Sequence, residues 1–244
     1  MMALAFLISG YVVAVELGRK GFDPEDAWSI VLWAAVGGIV GARGLAILTD
    51  WQTFRLNPIG SLLSGSGFVW YGGLIGGFVS VSIFIVRRSI PWLAAVDTVA
   101  PALAIGQAIG RIGCQVSGDG DWGSPTRMPW GMQYPNAIVG WMAWVRDSGL
   151  APDTRVHPAP VYETLAYCAI FSLLWSLRKK GLRDGSLLWI YFVTSSIARF
   201  AIEIVRVEPV LAAGLTQAQW IAIALFGLGA VLLLWRSPRV EASV

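Results

Sequence analysis

Six ionisable residues stand inside long apolar stretches of this 244-residue chain: Arg43, Asp97, Arg111, Glu163, Arg199 and Glu203. In hydrocarbon each charge costs at least ~2.5–3.5 kcal/mol, so each needs a partner, water or a task. Arg199 and Glu203 are four residues apart, the spacing at which side chains share a helix face, and Arg206 follows three residues later. That pair reads either as an ion pair fastening helices or as part of a site. Arg111 lies four residues after Gln107 and has no acidic residue three or four positions away. Its charge must be met from another helix or by an anionic ligand. Guanidinium groups stay charged and offer a planar fork of donors, so two or three of them around one cavity suit a phosphate.

The elements that must position these groups follow from composition. The chain is 56% hydrophobic and 14% charged, with a mean hydropathy of +0.64, whereas an ordinary soluble domain is roughly a quarter charged. A water-soluble globular protein and a disordered one are excluded. Apolar runs near the ~20 residues needed to cross a bilayer occur at about 2–17, 27–48, 67–86, 92–113, 159–177, 185–204 and 215–235. The expected fold class is an all-α integral membrane protein with seven transmembrane helices in one membrane domain, residues 1–244. The first run has no basic residue ahead of it and no small-residue cleavage site, so it reads as a retained span.

Lys and Arg set the orientation. Arg19, Lys20, Arg87, Arg88, Arg178, Lys179, Lys180, Arg183, Arg236 and Arg239 collect on one side. Arg55, Arg127, Arg146, Arg155 and Arg206 lie on the other. This places the C-terminus in the cytoplasm and the N-terminus outside, with the 49–66, 114–158 and 206–214 connections outward. Trp28, Trp51, Trp92, Trp175, Trp189 and Trp235 fall near helix ends, where an amphipathic indole suits the headgroup region. Residues 114–158 are too polar to cross and too long for an idle connection. They are expected to form a small outward-facing cap between the fourth and fifth spans, with one interfacial helix.

Other residues narrow the function classes. The 18 basic residues include three Lys and are scattered between apolar runs, so no nucleic-acid surface is expected. One histidine and two cysteines exclude a His-rich metal site and a disulfide framework. The run Tyr71-Gly72-Gly73-Leu74-Ile75-Gly76-Gly77, with Gly37, Gly38 and Gly41, has the small-residue spacing of close helix packing. The alternative is room for a lipid headgroup against the backbone. His157 before Pro158 suits a helix start, with Tyr162 and Glu163 just beyond it. No internal repeat is visible, which weakens a transporter reading.

Taken together, these motifs resemble the prolipoprotein diacylglyceryl transferase family. The resemblance rests on GARG at 41–44, YGGLIGG at 71–77, Asp97 followed by GRIGCQVSGDGDWG at 110–123, HPAPVYE at 157–163, ARFAIEIVRVEP at 198–209 and GLTQAQW from Gly214. It implies an enzyme of the bacterial cytoplasmic membrane that moves the diacylglyceryl group of phosphatidylglycerol to the lipobox cysteine of a prolipoprotein. A thioether forms and glycerol phosphate leaves, without metal or organic cofactor. By the same resemblance, Arg111 and Arg199 match arginines essential in the family, with Tyr71 and Glu163 as further catalytic candidates. Arg43, Gly72, Gly73, Asp97, Gly113, Asp119, His157, Tyr162, Glu203 and Arg206 match positions expected to bind substrate.

The residue types fit that chemistry. Sulfur attack that expels a phosphate needs cations at the departing anion, and a positive field lowers the pKa of the incoming thiol. Four departures from the family pattern stand out. Tyr71 replaces a histidine, Cys114 replaces an asparagine after GRIG, GDGDWG is one residue longer than usual, and the chain starts late, without a tyrosine near the first span. Tyr71, with an ordinary pKa near 10, suits orientation or hydrogen-bond donation better than proton removal. Glu163 or His157 is left as a substitute base, and Cys114 reads as structural. The competing readings are a lipid-binding protein of the same fold without catalysis and an anion transporter.

Overall fold

The computed structural model describes residues 1–63 and 69–236. Residues 67 and 68, at the start of the expected third span, and Arg239 lie outside the described residues. The described chain is dominated by α-helices: α1 (Met2–Arg19), α2 (Asp26–Thr49), α3 (Trp51–Leu56), α4 (Pro58–Leu63), α5 (Trp70–Arg87), α6 (Trp92–Ser117), α7 (Trp141–Asp147), α8 (Ala159–Leu177), α9 (Ser186–Glu203) and α10 (Gln217–Arg236). Five of these, α1, α2, α6, α8 and α10, are long and apolar enough to cross a membrane, and Tyr71–Arg87 forms a shorter apolar helix. The protein is therefore a helical membrane protein. Exposed Leu32, Val36, Ile39 and Val40 on α2, and Val231 and Leu234 on α10, are surface that water would penalise and lipid would not.

The chain divides into two compact units, residues 10–98 and residues 1–9 with 99–244. In the first, α2 packs along α5 through glycines spaced four apart. A Cβ on Gly41 would collide with the carbonyl oxygen of Gly72 and stand 2.8 Å from the Cα of Gly76. Gly73 faces the Gly38 carbonyl at 3.4 Å by the same construction. Ser80 Oγ closes the contact by donating to the Trp33 carbonyl at 2.7 Å. Of the two readings of these glycines, close helix packing is the one observed here. At the ends of the same unit, Glu16 is fully buried and holds Arg19 at 2.8 Å, Lys20 lies 3.5 Å from buried Asp97, and Arg88 pairs with Asp26 at 2.7 Å. Arg43 and Tyr71 also belong to this unit.

In the second unit, α9 packs against both α8 and α10. Gln107 on α6 donates to the Tyr191 hydroxyl on α9 at 2.7 Å, and Thr164 on α8 donates to the Pro160 carbonyl at 2.8 Å and the Ala108 carbonyl on α6 at 3.4 Å. These polar contacts tie α6 to α9 and to α8.

Between α6 and α8 the chain builds its own aromatic core. Trp122 stacks on Tyr134 with ring centroids 5.3 Å apart and meets Trp141 and Trp144 edge-on, with Val145 and Val156 buried beside them. α7 supplies Trp141 and Val145 from one buried face. Between α9 and α10, residues 210–212 and 215–216 form a two-stranded antiparallel hairpin, β1 and β2, turned by Ala213 and Gly214 at positive φ. Trp220 Nε1 fastens this hairpin to the first turn of α10 through the Ala212 carbonyl at 3.2 Å.

Candidate active site

Three helices bring the intramembrane charges of the second unit together. Arg111 sits in the last two turns of α6, Glu163 in the second turn of α8, and Arg199 and Glu203 in the last turns of α9, so their ends converge. Glu163 is the bridge. Its Oε1 accepts from Arg199 Nη1 at 2.5 Å, and its Oε2 lies 2.6 Å from Arg111 Nε as an ion-pair contact rather than an aligned hydrogen bond. Arg199 Nη2 is 2.8 Å from Glu203 Oε2, and Arg206 Nε reaches the same oxygen at 3.6 Å. The i,i+4 pair expected on α9 is thus present, and it continues across to α8 and α6.

The third anion is Asp121. It pairs with Arg111 Nη1, accepts from Arg206 Nη2 at 2.9 Å, and its backbone carbonyl accepts from Arg206 Nη1 at 3.3 Å. Arg206 also holds Glu208 at 2.6 Å at the rim. Arg111 therefore meets its charge from another helix, as one of the two expectations required, and also from the segment that follows its own helix.

Asp121 is held in place by backbone pairing. Gly123 N donates to the His157 carbonyl at 2.8 Å, Ser124 N to the Val205 carbonyl at 2.7 Å, and His157 N to the Ser124 carbonyl at 3.0 Å. The strip 123–124 thereby lies between residue 157 and residue 205. A Cβ on Gly123 would stand 2.5 Å from the Val205 carbonyl oxygen, so only glycine fits there. Trp122, buried in the aromatic core, anchors the other side.

Exposure differs across these groups. The side chains of Glu163 and Glu203 are 1% exposed, while those of Arg111 and Arg199 are 27% and 24% exposed. Glu163 and Glu203 are thus enclosed while the side chains of Arg111 and Arg199 are partly open; Asp121, at 30%, is open as well, and Arg206, at 5%, is buried. The contacts engage Nε and Nη1 of Arg111 and Nη1 and Nη2 of Arg199; the remaining nitrogen of each takes no hydrogen bond among the described residues.

Burial pushes the Asp121 carboxyl up, but the hydrogen bond and charge of Arg206, with Arg111 beside it, outweigh this and hold it below the ordinary carboxylate range. Burial also opposes the Arg206 charge, which Asp121 and Glu208 more than restore. A depressed native pKa means that Asp121 contributes stability above the unfolded value near 3.9, and that this contribution is lost as pH falls through the native value. Asp121→Asn is therefore expected to unfold at a lower temperature than the parent at pH 7. The gap should narrow below about pH 4 in a thermal-unfolding series.

Gly113, Asp119, His157 and Tyr162 belong to the same unit as this centre. Tyr162 hydroxyl accepts from Trp130 Nε1 at 2.7 Å and lies 3.0 Å from His157 Nδ1. Gly113 packs against Met1, where a Cβ would come within 3.0 Å. Asp119 is exposed, and its carboxylate accepts from the backbone N of Asp121 at 3.4 Å, the geometry of a turn. Cys114 and Cys168 are free thiols. Cys114 Sγ and the carboxylates of Asp119 and Asp121 lie within 4.8 Å of one another. The two guanidinium groups on Asp121 oppose a cation there. Arg43, Tyr71, Gly72, Gly73 and Asp97 lie in the first unit.

Reading the sequence by itself passes over Asp121, Glu208 and Thr216, whose Oγ1 donates to Glu203 Oε1 at 2.7 Å. The signal for Asp121 was present in GDGDWG. That stretch offers two aspartates, Asp119 and Asp121, for one role, and only the fold separates them.

Comparisons with known proteins give the family. The family profile described as prolipoprotein diacylglyceryl transferase matches residues 1–235. A phosphatidylglycerol–prolipoprotein diacylglyceryl transferase of Gloeobacter violaceus is 33% identical over 99% of this chain and 90% of its own length. The proteins of the same name from Mycobacteroides abscessus and Clostridium tetani are 31% and 29% identical, over 96% and 86% of this chain and 72% and 80% of theirs. With nearly its whole length matched, and with Arg111, Glu163, Arg199 and Glu203 gathered at one centre, this chain belongs to the prolipoprotein diacylglyceryl transferase family.

Proposed function

We propose that the chain transfers the diacylglyceryl group of phosphatidylglycerol to the lipobox cysteine of a prolipoprotein, the first step of bacterial lipoprotein maturation. Family membership and the names of its relatives support the activity. The observation that carries the mechanism is the pair of partly open guanidinium groups of Arg111 and Arg199, fastened to one buried carboxylate, Glu163.

In the reaction a carbon–sulfur bond forms at the glyceryl carbon that bore the phosphate ester. The carbon–oxygen bond breaks, and its electron pair leaves on glycerol phosphate. The thiol proton passes to water or a neighbouring base. Charge develops on the phosphate oxygens, where the spare donors of Arg111 and Arg199 are placed to receive it. Donors whose directions are fixed before the reaction need no reorganisation at the barrier. Glu163, with both oxygens committed to arginines, acts in this reading as a positioning residue rather than a base. Glu203 and Asp121 hold Arg199 and Arg111 in the same way, and Arg206 locks the two carboxylates together.

Tyr71 and Arg43 enter this reading through the resemblance of their motifs YGGLIGG and GARG, and Gly72 and Gly73 set how closely α5 approaches α2. Tyr71→Phe is expected to slow transfer several-fold if the hydroxyl orients substrate, as loss of one neutral hydrogen bond would by about 0.5–1.5 kcal/mol. An unchanged rate would reduce Tyr71 to packing. Gly113 and Asp119 shape the approach to Arg111, and His157 and Tyr162 line the acceptor side. Asp97, expected to bind substrate, is instead held by Lys20 near the start of α6, fourteen residues before Arg111.

In this reading the chain has seven spans in the cytoplasmic membrane, α5 and α9 joining the five helices that are long and apolar enough to cross. The N-terminus and the 114–158 cap are outside, and the C-terminus is in the cytoplasm. This follows the excess of Lys and Arg on one side. The test of function uses purified protein, labelled phosphatidylglycerol and a lipobox peptide. Release of glycerol phosphate together with a diacylglyceryl mass gain on the peptide cysteine is expected; lipid bound without either product would leave a lipid-binding protein.

A further inference from the structure

Thr216 and Gln219 form a capping box at the start of α10. Thr216 Oγ1 accepts from Gln219 N at 3.3 Å, and Gln219 Oε1 accepts from Thr216 N at 3.0 Å, so two donors of the helix end are satisfied reciprocally. Both residues are buried. A capping hydroxyl uses its lone pair for the helix and keeps its proton free. Here that proton goes to Glu203 Oε1 at 2.7 Å. The other oxygen of Glu203 faces Arg199 and Arg206. A carboxylate with one oxygen on guanidinium groups is still free to rotate about its last torsion; a donor on the second oxygen stops that rotation.

We infer that Thr216 is a positioning residue for transfer: its hydroxyl, aimed by the backbone N–H of Gln219, fixes the carboxylate of Glu203 and through it the guanidinium of Arg199. The inference rests on the reading of Arg199 as a phosphate donor. It makes the entry angle of α10, set by the β1–β2 hairpin and Trp220, part of the geometry of the reacting centre. A helix cap alone would stabilise α10 and nothing more, so the two roles separate in experiment.

Three variants divide them. Thr216→Val keeps the shape but loses the hydroxyl. Thr216→Ser restores it. Gln219→Ala breaks the other half of the cap and leaves the Thr216 hydroxyl on Glu203. Thr216→Val is expected to lower kcat about tenfold with little change in KM for phosphatidylglycerol, the size of one hydrogen bond to a charged group. Thr216→Ser should recover most of the loss. Gln219→Ala should lower the unfolding temperature about as far as Thr216→Val does while kcat stays near the parent value.

A second readout needs no turnover. Modification of Arg199 by phenylglyoxal, followed by mass spectrometry, should be faster in Thr216→Val than in the parent and unaltered in Gln219→Ala. The inference is overturned if Thr216→Val and Gln219→Ala lose kcat in step with their unfolding temperatures, or if Arg199 labelling is the same in all variants. A parent protein without transferase activity would sink the functional reading, and the labelling result would still decide the role of Thr216.

Discussion

Replacing Arg111 or Arg199 with alanine is expected to lower kcat by about 10²–10³-fold or more, the cost of removing one preorganised donor from a developing oxyanion. Each arginine has a fork of donors of which only part is engaged by carboxylates, and the free part is what a phosphate would meet. Arg111→Lys and Arg199→Lys are the informative controls. Lysine keeps the charge but cannot contact a buried carboxylate and a phosphate in two fixed directions at once. Both lysine variants should therefore remain well below the parent while folding better than the alanine variants. Full activity in an alanine variant that is still inserted would remove the phosphate clamp from the mechanism.

The second large effect belongs to Glu163. Its side chain is 1% exposed and touches both Arg111 and Arg199. Glu163→Ala leaves two guanidinium groups facing one another across the gap between α6 and α9. Breaking a buried pair costs about 3–5 kcal/mol where the remaining charge is uncompensated; here Arg111 keeps Asp121 and Arg199 keeps Glu203, and both are partly exposed, so the loss should fall below that range. The variant should unfold at a lower temperature in detergent, and should lose transfer as well. Glu163→Gln keeps the volume and one acceptor oxygen, so it should fold better than Glu163→Ala yet hold only one arginine. If Glu163 were instead the proton acceptor, the glutamine variant would be as inactive as alanine at every pH despite sound folding.

Much of this was legible in the sequence, and what was not has a physical cause. The helix expected at 159–177 is α8 as observed, because an apolar run preceded by Pro158 and followed by Arg178, Lys179 and Lys180 has clear ends. The Arg199–Glu203 pair was readable because i,i+4 spacing is a local property. The bridge through Glu163 was not, since nothing in one sequence states which helices are neighbours. The same limit applies to Asp121, whose place depends on backbone pairing of residues 123–124 with residues 157 and 205.

Short elements carried too little pattern. Residues 49–66 were expected as a plain connection and contain α3 and α4, each six residues long. The 206–214 connection contains strand β1, and strands of three and two residues have no period to detect. Thr216 and Gln219 did leave a signature, since a threonine followed three residues later by glutamine before an apolar run is a capping box. What that pattern does not reveal is that the capping hydroxyl has a second partner in Glu203.

The glycines show a different kind of ambiguity. Gly41, Gly72 and Gly76 fit both close packing and a headgroup site, and only the approach of α2 to α5 shows that their space is filled by backbone. Arg111 and Arg199 are similar in kind. Each is neutralised by carboxylates, as a purely structural network would be, and yet each is left partly open, as an anion clamp would be.

The most direct measurement is a structure of the protein in lipid nanodiscs containing phosphatidylglycerol. The account predicts a headgroup phosphate within about 3 Å of both Arg111 and Arg199, with Glu163 still bridging the two. A phosphate bound elsewhere, with both arginines closed onto their carboxylates, would contradict it.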